Sequence, residues 1–185
     1  MSMIITRHVL FIQGGGGRED YTADAKLVAS LQAGLGDAFV VHYPLLADEP
    51  EPDFGRQKQI GQQVSLIKDE IILVGHSLGA SMLLKYLSES QPPQRVIGAF
   101  LLATPFWSGD EDWKQGLKLH DDFASKLPKH VPIFLYHAQD DEEVSFNNLA
   151  LYAQHLPQAT LHSIPKGGHQ FDNDLWVVAR DILSL

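Results

Sequence analysis

Short apolar runs recur along the chain and alternate with longer amphipathic stretches. Val9 to Ile12, Ala38 to Tyr43, Ile71 to Val74, Val96 to Ala103 and Pro132 to His137 are rich in aliphatic and aromatic residues. Their length and lack of polar alternation predict strands buried on both faces. Thr160 to Ile164 alternates instead, as an edge strand with one wetter face would. Between these runs the pattern predicts a helix from about Tyr21 to Leu35 with Ala25, Leu27, Val28 and Leu31 on its apolar face. It predicts a mostly polar helix from about Phe54 to Ile67, and one after Val74 that reaches about Ser88 and is stopped by Gln91-Pro92-Pro93. Two more span about Ser145 to Gln154 and Asp174 to Leu185. Ser108 to Lys129 carries no strand pattern; it has room for one or two short helices and is too short for a cap domain.

Strands that alternate with helices give a mostly parallel sheet covered on both faces. Right-handed crossovers, with a switch point near Val74, favour an open doubly wound α/β sheet of about six strands. The 185 residues suit a single domain spanning the whole chain.

Charge and composition then narrow the function. The net charge of −9 argues against nucleic acid or an anionic membrane surface as a partner. With no cysteine, the chain has neither a disulfide framework nor a thiol nucleophile. Met1 to Arg7 shows no signal-peptide pattern and no apolar run approaches a membrane span, so the cytoplasm is the expected compartment.

The chemistry begins at Gly75-His76-Ser77-Leu78-Gly79, directly after the Ile71 run and followed, past Ala80 and Ser81, by Met82-Leu83-Leu84. A bare Gly-x-Ser-x-Gly arises by accident in roughly one chain in twenty of this length, so the pattern alone is weak. Its position between a buried strand and a helix makes it a nucleophile elbow. Such a turn forces a strained backbone, and small residues at Gly75 and Gly79 clear the neighbouring strand and helix. The Leu78 N–H opens the helix, where dipole and free donors can hold an oxyanion.

A serine nucleophile needs a base, and the base needs an acid to orient it. Of nine histidines, His169 stands out, because it follows Lys166-Gly167-Gly168 at the carboxyl end of the last strand. His76 is expected to matter for its backbone position in the elbow more than for its imidazole. The acid should lie after the strand ending at His137, where Asp140, Asp141, Glu142 and Glu143 are all available. The second oxyanion donor should come from Gly14 to Gly17 after the first strand. Phosphate binding is the rival reading of those glycines. It fails, because Gly17-Arg18-Glu19 lacks the Lys-Ser/Thr of a Walker loop and the third glycine of a dinucleotide fingerprint is missing. No metal-ligand spacing occurs.

Taken together, Gln13-Gly14-Gly15, the Gly75–Gly79 elbow, the Asp141 loop and Gly168-His169 resemble the α/β-hydrolase superfamily over nearly the whole chain. The small size and missing cap are similar to its compact esterase-like branch, which includes retinoblastoma-binding protein 9 and YdeN-type serine hydrolases. The resemblance implies Ser77 as nucleophile, Asp141 as acid and His169 as base, with the backbone N–H groups of Leu78 and Gly15 as the oxyanion hole. Phe106 and Trp107, just after the fourth strand, are candidates for lining a small pocket, with packing in the core as the alternative, and Gln13 and Gly14 are the other pocket candidates. Asp140 is then left to face solvent or to cap the helix near Ser145. Two departures stand out: Gln13 replaces the usual histidine, and the two N-terminal strands of larger members are missing.

The expected activity is hydrolysis of small carboxylic esters through an acyl-enzyme, with no cofactor and no metal. A thioester or small amide could enter the same machinery. The short Ser108–Lys129 segment and the acidic loops favour short acyl chains and uncharged or cationic substrates. The alternative is a binding or regulatory protein on a hydrolase scaffold with little turnover.

Overall fold

The computed structural model describes residues 6–185; the reading of the amino terminus as free of a signal peptide rests on residues 1–5, which lie outside them. Six strands form one sheet: β1 (Arg7–Ile12), β2 (Phe39–His42), β3 (Ile71–His76), β4 (Val96–Leu102), β5 (Ile133–Ala138) and β6 (Thr160–Ile164). Their spatial order is β2-β1-β3-β4-β5-β6, and every neighbouring pair is parallel. The helices are α1 (Arg18–Leu35), α2 (Arg56–Leu66), α3 (Leu78–Glu89), the single turn α4 (Phe123–Lys126), α5 (Asn147–His155) and α6 (Trp176–Leu183). Single helical turns at Asp112–Lys114 and Phe171–Asn173 complete the set. The chain has the α/β-hydrolase fold, and no cap domain stands over the sheet among the described residues. No described helix is long and apolar enough to cross a membrane.

Alternate side chains of the central strands enter two separate cores, which is why those strands read as unbroken apolar runs. Leu10, Ile12, Ile71 and Leu73 pack with Ile60 and Val64 of α2 and Leu83 and Leu87 of α3. Val9, Phe11, Ile72 and Val74 pack with Leu27 and Leu31 of α1 and Val178 and Ile182 of α6. β2 and β6 are the two edge strands: β6 has no fully buried residue, and in β2 Val40 is exposed, so the Ala38–Tyr43 run is not buried on both faces as expected.

One helix face differs from its expectation. Ala25 is exposed, and the buried positions of α1 are Asp24, Leu27, Leu31 and Leu35. The helix is rotated so that a carboxylate enters the interior, where Gly14, His76 and Gln170 receive it. The strand order reverses between β1 and β3, so the crevice of this open sheet lies at their carboxyl ends.

Candidate active site

Ser77 is the single residue between β3 and α3, with its backbone at φ 51° and ψ −120°. A non-glycine residue held there costs about 1–3 kcal/mol, so the surroundings must fix it. They do so through hydrogen bonds: the Ser77 N–H donates to the Leu102 carbonyl at the end of β4 (2.8 Å), and the Ser77 carbonyl accepts from Ala80 (3.0 Å) and Ser81 (3.2 Å). A Cβ on Gly75 would lie 2.8 Å from the Ala80 backbone, and one on Gly79 would run into the Gln13 carbonyl oxygen. Leu78 is the first residue of α3, so its N–H has no acceptor within the helix.

His169 follows β6 and is almost wholly buried. Its Nδ1 lies 3.0 and 3.1 Å from the two carboxylate oxygens of Asp141. The buried Asp141 carboxylate also accepts from the N–H groups of Glu143 and Val144, each at 2.9 Å, and lies 3.2 Å from His137 Nε2. Burial pushes the Asp141 carboxyl up, but His137, His169 and those backbone donors together hold it far below the usual carboxylate range. An ionised Asp141 fixes the proton of His169 on Nδ1 and leaves Nε2 free to act as a base. Burial pulls the His169 imidazole down; the Asp141 hydrogen bond and charge, with Glu143 and Asp24 behind them, outweigh it and raise its pKa above the ordinary value.

This has a kinetic consequence. The base must be neutral to accept a proton, and its environment favours the charged form. Any turnover that uses His169 as a base is therefore expected to rise with pH through an apparent pKa above histidine's ordinary value of about 6.5. A kcat/KM profile across about pH 5 to 9 checks this, and a midpoint below about 6 would rule against His169 as the base.

All four acids of the Asp140–Glu143 run engage the His169 loop. Asp140 accepts from the N–H groups of Gly168 (2.9 Å) and Gly167 (3.4 Å), and Glu142 accepts from the His169 N–H (3.1 Å). The Glu143 carboxylate lies 3.5 Å from His169 Nε2. Asp140 thus neither caps the helix nor merely faces solvent. The loops after β5 and β6 leave neighbouring strands side by side, and the glycines of one present bare N–H groups to the acids of the other. Among the described residues no hydrogen bond joins Ser77 Oγ to His169 Nε2; in unliganded sites such bonds commonly tighten only with substrate.

The glycine loop after β1 is held from three sides. The Gly14 N–H donates to Asp24 (2.7 Å), and Arg56 donates to the Gly15 carbonyl (3.1 Å) while pairing with Asp48 at 2.8 Å. The Gln13 side-chain carbonyl accepts from the Leu46 N–H (2.9 Å). Gln13 is fully buried by that role and does not line the cavity, which corrects its place among the pocket candidates. The Gly14 N–H is occupied, whereas the Gly15 N–H has no acceptor among the described residues.

These segments surround a cavity of about 430 Å³ lined by Gly14, Gly15, Ser77, Leu78 and His169. Phe54, Trp107 and Trp113 form aromatic walls, and Asp20, Asp24 and Glu143 bring carboxylates; no Lys or Arg lines it. Trp107 is oriented by donating its indole N–H to Ser81 Oγ (2.9 Å) and meets Trp113 edge to face at 5.6 Å. Phe106 does not line this cavity; it lines a neighbouring one with Trp107. Its N–H is held by Asn148 (2.7 Å) and its ring packs on Tyr152 and His155, turned toward α5.

Sequence reasoning also missed the part played by side chains remote in the chain. The His76 ring is buried, with Nδ1 2.9 Å from Asp24 and Nε2 2.9 Å from the His169 carbonyl. Asp24 and Arg56 sit on helices read as amphipathic or polar, and Phe54 and Trp113 in segments with no motif. Nothing local marks any of them.

Comparison with known proteins bears on the fold and the family. A search of curated protein sequences finds no match. The chain is similar in structure to the ydeN gene product from B. subtilis, at 18% identity and a TM-score of 0.73 over 97% of this chain and 98% of that one. Est1E from Butyrivibrio proteoclasticus is similar over 97% of this chain and 86% of its own, at 16% identity and a TM-score of 0.69. A thioesterase domain from the curacin biosynthetic pathway superposes with a TM-score of 0.70 at 15% identity, covering 99% and 93% of the two chains. These likenesses establish the fold. A family model described as serine hydrolase matches residues 51–174, about two thirds of the chain and the span that holds Ser77, Asp141 and His169. The chain belongs to the serine hydrolase family.

Proposed function

We propose that this single-domain chain hydrolyses small carboxylic esters through an acyl-enzyme on Ser77. The observation that carries the reading is the buried, ionised Asp141 holding Nδ1 of His169 beside the cavity that contains the elbow serine. Ser77 Oγ attacks the ester carbonyl while His169 Nε2 takes its proton. The N–H groups of Leu78 and Gly15 stabilise the oxyanion, the alkoxide leaves, and His169 returns the proton to it. Water then attacks the acyl-enzyme by the same route, releasing the acid and restoring Ser77. A fluorophosphonate probe tests this directly: Ser77 should label stoichiometrically, and an unlabelled, folded protein would overturn it.

The cavity favours compact acyl groups and uncharged or cationic substrates. Its size suits a short ester, and its carboxylates, unopposed by Lys or Arg in the lining, repel anions. In a series of nitrophenyl esters, kcat/KM is expected to be highest for two- to four-carbon acyl groups. Anionic esters should be poorer than neutral ones of equal size, most of all at low salt. A higher kcat/KM for a twelve-carbon ester would refute the compact pocket.

One observation favours a second reading, a binding protein with little turnover: His169 Nε2 faces Glu143 at 3.5 Å, with no hydrogen bond to Ser77 among the described residues. The fluorophosphonate experiment separates the two, since only an activated serine reacts.

A further inference from the structure

Beside the Asp141–His169 pair, the described residues bury another carboxylate and imidazole in contact, Asp24 and His76, each 1% exposed. Asp24 lies on α1, away from every loop that bears a proposed catalytic group. Its carboxylate is nonetheless a junction. It accepts from the Gly14 N–H at 2.7 Å, from His76 Nδ1 at 2.9 and 3.0 Å, and from Gln170 Nε2 at 3.2 Å. On its far side, His76 Nε2 lies 2.9 Å from the His169 carbonyl oxygen, and the two imidazoles lie 4.7 Å apart. One carboxylate thus reaches the residue before the proposed oxyanion donor, the residue before the nucleophile and the residue after the base.

We propose that Asp24 and His76 form a positioning couple for the reaction, locking the glycine loop, the elbow and the base loop into one rigid frame. This rests on the reading of Ser77, Asp141 and His169 as the reacting set. The hydrogen-bond inventory supports it. Both nitrogens of His76 lie within hydrogen-bond distance of fixed oxygens, one on Asp24 and one on the His169 backbone, so the ring is held at both ends in a single orientation. Burial pushes the Asp24 carboxyl up, but His76, Gly14 and Gln170 outweigh that, so the junction stays charged. Well-packed apolar residues would stabilise a core about as well as a buried carboxylate–imidazole pair, so such a pair is better explained by the geometry it imposes. With its N–H taken by Asp24, Gly14 is withdrawn as an oxyanion donor and Gly15 is left to serve.

Two variants test this. Asp24→Asn keeps size and shape but turns an NH₂ toward one of the donors it now accepts from. His76→Asn keeps a donor near the Nδ1 position and drops the link to the His169 carbonyl. Each would be counted by fluorophosphonate labelling, so that kcat is expressed per reactive site and a loss of folded protein cannot imitate a loss of rate. Misplacing catalytic groups by about 1 Å costs about 10²-fold. Asp24→Asn is expected to lower kcat per labelled site by about that factor while KM stays within about threefold. His76→Asn should lose less. The double variant should be no worse than Asp24→Asn, because both act through one chain of contacts. Per-site kcat within about threefold of wild type in both variants, or a change in KM alone, overturns the proposal. Failure of both variants to accumulate as folded protein assigns the couple to stability and overturns it as well. A wild-type protein that does not label brings down the serine mechanism itself. Labelled wild type with unaltered variants brings down only this inference.

Discussion

Ser77→Ala is expected to lower ester turnover by about six orders of magnitude, down to what binding and the oxyanion donors alone supply. The fold should survive. Among the described residues the Ser77 hydroxyl makes no hydrogen bond, while its N–H and carbonyl, which anchor the elbow, remain in the variant. Alanine meets the same φ of 51° at no greater cost than serine. Circular dichroism and a thermal melt should match the wild type, and fluorophosphonate labelling should vanish. Activity within tenfold of wild type would end the serine mechanism. Glu143, the carboxylate already close to His169 Nε2, would then be the first alternative group to test.

Asp141→Asn should be the next most damaging change, at about 10⁴ in kcat, because His169 loses its preferred tautomer. Donors from His169, His137, Glu143 and Val144 converge on that buried carboxylate, and an amide turns two N–H groups toward some of them. Two signatures distinguish this from general damage. Asp141 holds the His169 pKa up, so the rising limb of activity should move to lower pH in the variant. The Asp141 carboxyl is depressed in the folded state, so its stabilising contribution is present above the unfolded value of about 3.9 and lost as pH falls below it. The variant should therefore be less stable than wild type at neutral pH, with the gap closing in acid. Asp140→Asn should cost no more than about tenfold, since Asp140 bonds only the Gly167 and Gly168 backbone from an exposed position. If Asp140→Asn is the inactive variant and Asp141→Asn stays active, the acid is misassigned.

The two variants bear on how a run of like charges should be read. Four successive acids in a loop ordinarily indicate solvation. Here each carboxylate has a separate task around one histidine: Asp140 holds the N–H groups of Gly167 and Gly168 before it, Glu142 its own N–H, Asp141 its Nδ1, and Glu143 stands near its Nε2. The run is a socket for the base loop, and its close placement follows from β5 and β6 being neighbours.

What the sequence determined by itself was whatever is encoded by short-range periodicity and local sterics. The apolar runs located the four inner strands, because a strand buried on both faces has no polar position to spare; β6 showed by its alternation and β2, an edge strand with Val40 exposed, by its apolar content. The Gly-His-Ser-Leu-Gly turn was legible because only glycine clears the approach of α3 and the first loop. The serine, the histidine after two glycines and the acidic loop were legible as candidates because each closes a strand at the same edge of the sheet. Tertiary structure alone decided the rest. A hydropathy pattern assigns Asp24 to the wet side of α1 and takes Ala25 for the core, since it cannot register that His76, 52 positions away, arrives within hydrogen-bond distance of a buried carboxylate. The same blindness hides Arg56, whose buried guanidinium is compensated by Asp48 and the Gly15 carbonyl. It also hid the turn of Phe106 toward α5 and the withdrawal of Gln13 toward Leu46. Burial of a polar group is favourable only when its partners are in place, and those partners come from distant segments that meet only after the sheet has formed.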